Sequence, residues 1–100
     1  MIMYVDVKEY AQAKLRCRLS GRASVLADYI VCQKEGFLFR MSVTMLTTNL
    51  SRAAVYQAKR ELLERNIIEI SRLGTMGQKI DFNFDFNTWR FVQCVIYPNY

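Results

Sequence analysis

The stretch TTNLSRAAVYQAKRELLERNIIEI, residues 47–70, decides how this chain is read. It holds a polar turn, a charged amphipathic run, an asparagine and a short apolar segment. In the turn Asn49–Leu50–Ser51, Ser51 is the residue type whose hydroxyl accepts a bond from a free N–H in the first helical turn, so a helix is expected from Arg52 to about residue 65. Val55, Ala58 and Leu62 recur at i, i+3 and i+7 and predict its buried face. Asn66 stands where helices end in a left-handed residue, Gly being the first choice there and Asn the second. The chain is then expected to reverse, so that Ile67, Ile68 and Ile70 enter a strand.

Downstream, residues 67–73 read as one strand and residues 74–78 as a glycine-containing turn. KIDFNFDFN follows, with Ile80, Phe82, Phe84 and Phe86 alternating against Asp81, Asn83, Asp85 and Asn87, the period of a half-buried strand. The two runs predict an antiparallel hairpin with a polar tip. The phenylalanines read as core, because an acidic and amide opposite face would repel a nucleic-acid strand stacked on the sheet. Residues 88–100 tolerate helix or strand; their β-branched and aromatic content favours strand.

Upstream, Asp6 predicts the cap of a helix starting at Val7 or Lys8, with Glu9 completing a capping box and Tyr10, Ala13 or Lys14, and Cys17 as a modest stripe. Ser20 predicts a second cap, followed by a face of Ala23, Leu26, Ala27 and Ile30 and a left-handed stop at Gly36. FLFR, residues 37–40, reads as extended. Ser42 then opens a helix of about two turns, with Val43 and Leu46 expected inward.

One hundred residues, about half of them apolar, bound the chain to one domain with a core of its own. The net charge is +5, and nine of the fourteen bases are Arg, which forks onto phosphate and guanine better than Lys does. Such a balance suits an acidic partner, nucleic acid being the commonest. Cys17, Cys32 and Cys94 are odd in number and lack paired spacing, and charged residues crowd the start, so reduced, mostly buried thiols and a cytoplasmic location are expected. Histidine is absent, and no phosphate-loop or nucleophile-elbow motif occurs, so no enzyme, metal or cofactor is expected. No apolar run reaches membrane-spanning length, and no small-molecule ligand is indicated.

The order helix, short strand, short helix, turn, long helix, hairpin resembles the winged helix-turn-helix superfamily over residues 19–87. The resemblance is carried by Ser51-Arg52, Val55, Leu62 and the exit Asn66-Ile67-Ile68, where the family shows Ser-Arg, Val, Leu and Gly-Leu-Ile. It implies an α+β domain with a three-helix core, a C-terminal β-hairpin wing and an extra N-terminal helix or arm. Two residues depart from the pattern. Asn66 replaces the usual glycine. Lys59 stands at an apolar place: either its stem lies over the core with the ammonium outside, or the helix is rotated by one residue, and its reading face with it.

What the resemblance implies is double-stranded DNA binding, with the helix from Arg52 in the major groove. Arg52, Ala53, Tyr56, Gln57 and Arg60 project from it; Arg52 suits guanine and Gln57 adenine. Thr47, Thr48, Asn49 and Ser51 sit at the turn, where hydroxyls and amides meet phosphate as well as cap helices. Arg72, Thr75, Gln78 and Lys79 surround the wing tip, and Arg40 precedes the short helix. Between Arg40 and Lys79 there are seven bases and three acids, so most of the excess positive charge falls in this block. A second basic run, Lys14, Arg16, Arg18 and Arg22, reads as a solvated face or a further phosphate patch. The expected function is a sequence-specific regulator of transcription or an accessory of replication initiation, of phage, virus or plasmid origin. A homodimer is expected, with residues 1–5 and 91–97 as its contacts. The alternative is a winged-helix protein–protein interaction module without DNA binding.

Overall fold

The structure is a computed structural model that describes residues 6–34 and 36–90. The chain is α+β. Four helices, α1 (Val7–Cys17), α2 (Gly21–Val31), α3 (Met41–Thr48) and α4 (Arg52–Glu64), combine with strands β1 (Phe37–Phe39), β2 (Ile68–Arg72) and β3 (Gln78–Phe82). The strands form one antiparallel sheet in the order β1-β3-β2.

Three helices start where a short polar side chain meets a free N–H. Asp6 Oδ1 accepts from the backbone N–H groups of Lys8 and Glu9, Ser20 Oγ from Ala23, and Ser51 Oγ from Ala54. Each such cap is worth about 1 kcal/mol. The inward stripes of α1 and α2 are those expected: Tyr10, Ala13 and Cys17, then Ala23, Leu26, Ala27 and Ile30. Val55, Ala58 and Leu62 of α4 are fully buried, and Ala58 and Leu62 join Ile67, Ile68, Ile80 and Trp89 in one hydrophobic cluster. Because α1 and Trp89 belong to that cluster, the core reaches beyond residues 19–87.

Glu61 fixes α4 against α2. Its two carboxylate oxygens accept from the Ser20 backbone N–H and the Ser20 hydroxyl, both at 2.8 Å. Across α1 and α2, Asp28 Oδ1 accepts from Tyr10 Oη and Lys14 Nζ, each at 2.7 Å. Burial, then the bond to Asp28, push the Tyr10 phenol well above its ordinary range. Lys14 also lies over the Tyr10 ring, so this member of the N-terminal basic run holds the fold together.

Four local expectations are corrected. The short helix starts at Met41, one residue early, and turns the other way: Val43 is 45% and Leu46 85% exposed, while Thr44 is fully buried. Thr44 can sit inside because its hydroxyl bonds the Arg40 carbonyl four residues back, leaving its methyl to pack. Helix α2 ends at Val31, and Gly36, at φ +68°, instead serves the turn into β1. Strand β3 stops at Phe82, because Asn83 Oδ1 captures the Asp85 N–H and Asp85 Oδ1 the Asn87 N–H, bending the chain into a 3-10 turn at Phe86–Thr88. Phe86 still packs on the core from that turn, against Tyr10 and Trp89. Cys17 is buried but Cys32 is exposed, both as free thiols. Cys94, the conformation of residues 91–100 and the proposed contact segments 1–5 and 91–97 lie outside the described residues.

Asn66 ends α4 as its type predicts, at φ 60°. Its Nδ2 donates to the Thr88 carbonyl, and its own carbonyl accepts from Asn83 Nδ2 at 2.8 Å. The reversal and the base of the hairpin are therefore tied together. Asn66→Ala loses the tolerated left-handed side chain and the bond to Thr88, and is expected to cost about 1–3 kcal/mol in urea unfolding. Asn66→Gly keeps the backbone freedom and is expected to cost less than Asn66→Ala. Equal losses would assign the effect to the side-chain bond alone.

Candidate functional site

The hairpin presents two faces. Register pairs Ile68 with Phe82, Ile70 with Ile80, and Arg72 with Gln78, and this row turns toward α4. Glu69, Asp81, Ser71 and Lys79 form the opposite row. Alternation along two strands thus separates Arg72 and Gln78 from Lys79, its immediate neighbour in sequence.

Helix α4 is phased by its buried residues, so its outer flank carries Arg52, Ala53, Tyr56, Gln57 and Arg60, all exposed. Tyr56 and Arg60 line a groove whose other wall is Ile70, Arg72 and Gln78. Four of the expected contact residues, two from α4 and two from the hairpin, are therefore brought to one concave surface. Arg52, Ala53 and Gln57 continue the helix flank beside it.

The remaining candidates are distributed differently. Ser51 Oγ is engaged as the α4 cap. Thr48 Oγ1 donates to the Thr44 carbonyl at 2.6 Å and closes the end of α3. Asn49 forms the left-handed turn at φ 58°, and Thr47 and Arg40 are exposed at opposite ends of α3. Thr75 lies in the 3-10 turn Gly74–Met76 at the hairpin tip, exposed. Lys79 points away from the groove, with its ammonium 3.7 Å from Asp81 and its stem beside Gly36.

The residue that sequence reasoning did not place in this site is Lys59. The helix is not rotated: Val55, Ala58 and Leu62 are its buried face, and Lys59 is only 8% exposed as a residue, lining the floor of the groove rather than standing free in solvent. Its Nζ donates to Gln78 Oε1 at 2.8 Å, stands 4.1 Å from the centre of the Phe39 ring and 5.7 Å from that of Tyr56. Phe39 lies on the same sheet face as Gln78, its register partner. The cation is thus held by an amide oxygen and aromatic faces, with no carboxylate paired to it among the described residues. Burial, then the Arg72 guanidinium, lower its pKa below the ordinary 10.5. A cation at an apolar helix position, with an amide across the hairpin, was the signal available in the sequence.

No protein-family model, curated protein or solved structure matches the chain. Among the described residues, no helix is long and apolar enough to cross a membrane.

A lowered lysine pKa means that the folded state holds the charged form at a penalty. That penalty is present at neutral pH and fades as pH rises through the lowered pKa toward 10.5. Lys59→Met is therefore expected to melt at or above the wild-type temperature at pH 7, with its advantage shrinking on approach to pH 10. A loss of more than about 5 °C at pH 7, roughly 1 kcal/mol for a domain of this size, would show that the Gln78 bond outweighs desolvation.

Proposed function

We propose that this chain is a winged helix-turn-helix protein that binds double-stranded DNA, with α4 as the reading helix and the β2–β3 hairpin as the wing. In this reading α2, α3 and α4 are the three-helix core and α1 is the additional N-terminal helix. The observation that carries it is the shared surface: the exposed flank of α4 and the Arg72–Gln78 face of the hairpin meet in one basic groove. Arg52 and Gln57 lie at the N-terminal half of α4, where such a helix meets base edges, and their side chains suit guanine and adenine. Phosphate anchoring falls to Arg40, Thr47, Asn49 and Thr75, with Arg60 and Arg72 beside the helix. Lys79 reaches backbone only from the outer hairpin face.

The role proposed is a cytoplasmic regulator of transcription or an accessory of replication initiation, of phage, virus or plasmid origin. A single reading helix spans few base pairs, so a homodimer on a two-fold symmetric site is part of the proposal. One observation favours the rival protein-interaction reading: α3 presents Val43 and Leu46 to solvent, side chains suited to a protein partner.

Selection from random duplex pools tests the proposal. The wild type is expected to retain a defined motif. Arg52→Ala is expected to relax one position of it, at about 1–3 kcal/mol of lost discrimination, while leaving the melting temperature unchanged. An unenriched pool, or an Arg52→Ala motif identical to the wild type's, would contradict α4 as the reading element.

A further inference from the structure

We infer that the groove between α4 and the hairpin is a seat for one backbone phosphate of the duplex, with Lys59 at its floor and Arg60 and Arg72 at its walls. This deepens the DNA-binding reading and rests on it.

The groove is built for an anion. Three of its lining residues are cations and none is a carboxylate. The acids that come near are engaged or turned away. Glu61 is held by Ser20 on the α2 side of the helix, and Glu69 and Asp81 belong to the opposite row of the hairpin, where Asp81 faces Lys79. Glu64, exposed one turn beyond Arg60, does not line the groove and forms no ion pair among the described residues. Among the described residues, neither Arg60 nor Arg72 forms an ion pair. Among the described residues, the groove therefore holds three like charges with no carboxylate paired to them.

Donor geometry narrows the ligand. An ammonium has three N–H bonds to give, and Lys59 gives one to Gln78 Oε1. The Phe39 ring attracts the charge without serving as a strong acceptor. Gln78, whose oxygen already accepts from Lys59, has its NH2 end left to donate, and Tyr56 lines the same groove. Donor-bearing residues thus line the groove from a helix and from both hairpin strands, an arrangement suited to a tetrahedral group with several acceptor oxygens. A carboxylate would meet fewer of them. The groove is continuous with the exposed α4 flank that carries Arg52 and Gln57, which favours a phosphate of the duplex over a free ion. The desolvation and Arg72 repulsion borne by Lys59 would be relieved by such a group.

Duplex affinity measured across a potassium chloride series, by fluorescence anisotropy, tests this with the wild type, Lys59→Met and Arg72→Ala. Each variant is expected to bind matched and unmatched duplexes about tenfold more weakly, and to lower the slope of log affinity against log salt by about 1. Arg72 is exposed, so Arg72→Ala decides the matter if Lys59→Met fails to fold. Unchanged affinity and slope in the folded variants would overturn the phosphate seat while leaving α4 as the reading helix. No salt-dependent duplex binding by the wild type would overturn both. Micromolar saturation of the Lys59 Nζ resonance by inorganic phosphate alone would give the groove to a free ion and overturn the assignment to the duplex backbone.

Discussion

The seating of α4 governs everything outside it. Val55, Ala58 and Leu62 are sealed from solvent, and each large aliphatic side chain so buried contributes about 1.5–3 kcal/mol. Rotating the helix by one residue, roughly 100°, would expose that stripe and turn Tyr56, Lys59 and Leu63, or Ala54, Gln57 and Glu61, inward in its place. The two bonds from Ser20 to Glu61 hold the same helix at its α2 side. With the inner face immobilised, Arg52, Tyr56, Gln57 and Arg60 are left to solvent as a fixed array. The left-handed turn at Asn66 then returns the chain, so that Arg72 and Gln78 come to stand beside Arg60.

Lys59 is where packing and chemistry conflict. A methionine or leucine would fill this place without desolvating a charge. The chain instead keeps an ammonium under Phe39 and bonds it to the hairpin through Gln78. That bond joins helix to hairpin at their shared surface, and it sets which end of the Gln78 amide faces outward. A residue that breaks the apolar pattern of its helix and sits at a surface groove is the kind of local inconsistency expected where a protein meets its ligand.

Much of the fold was legible because its signals are local. Asp6, Ser20 and Ser51 cap as short polar side chains do, Asn66 takes the left-handed position, and the stripes of α1, α2 and α4 follow from spacing alone. The failures share a physical origin too. Thr44 entered the core because its hydroxyl found a carbonyl within its own helix, which hydropathy does not register, and Val43 and Leu46 were displaced outward as a result. The alternation through Phe86 counted Asn83 and Asp85 as the polar half of a strand, whereas their side chains capture backbone N–H groups and end it at Phe82. At the candidate site, the α4 flank was readable from helical phase. The separation of Gln78 from Lys79 required strand register, and the burial of Lys59 required knowing that Phe39 and Gln78 are partners across β1 and β3.

Mapping duplex contacts residue by residue, through amide chemical-shift changes in the labelled chain, tests the central claim most directly. The account predicts that changes concentrate on the outer flank of α4 from Arg52 to Arg60 and on Arg72 and Gln78, with Glu69 and Asp81 silent. Changes centred on α1 or on the Glu69–Asp81 face, with the α4 flank unmoved, would contradict it.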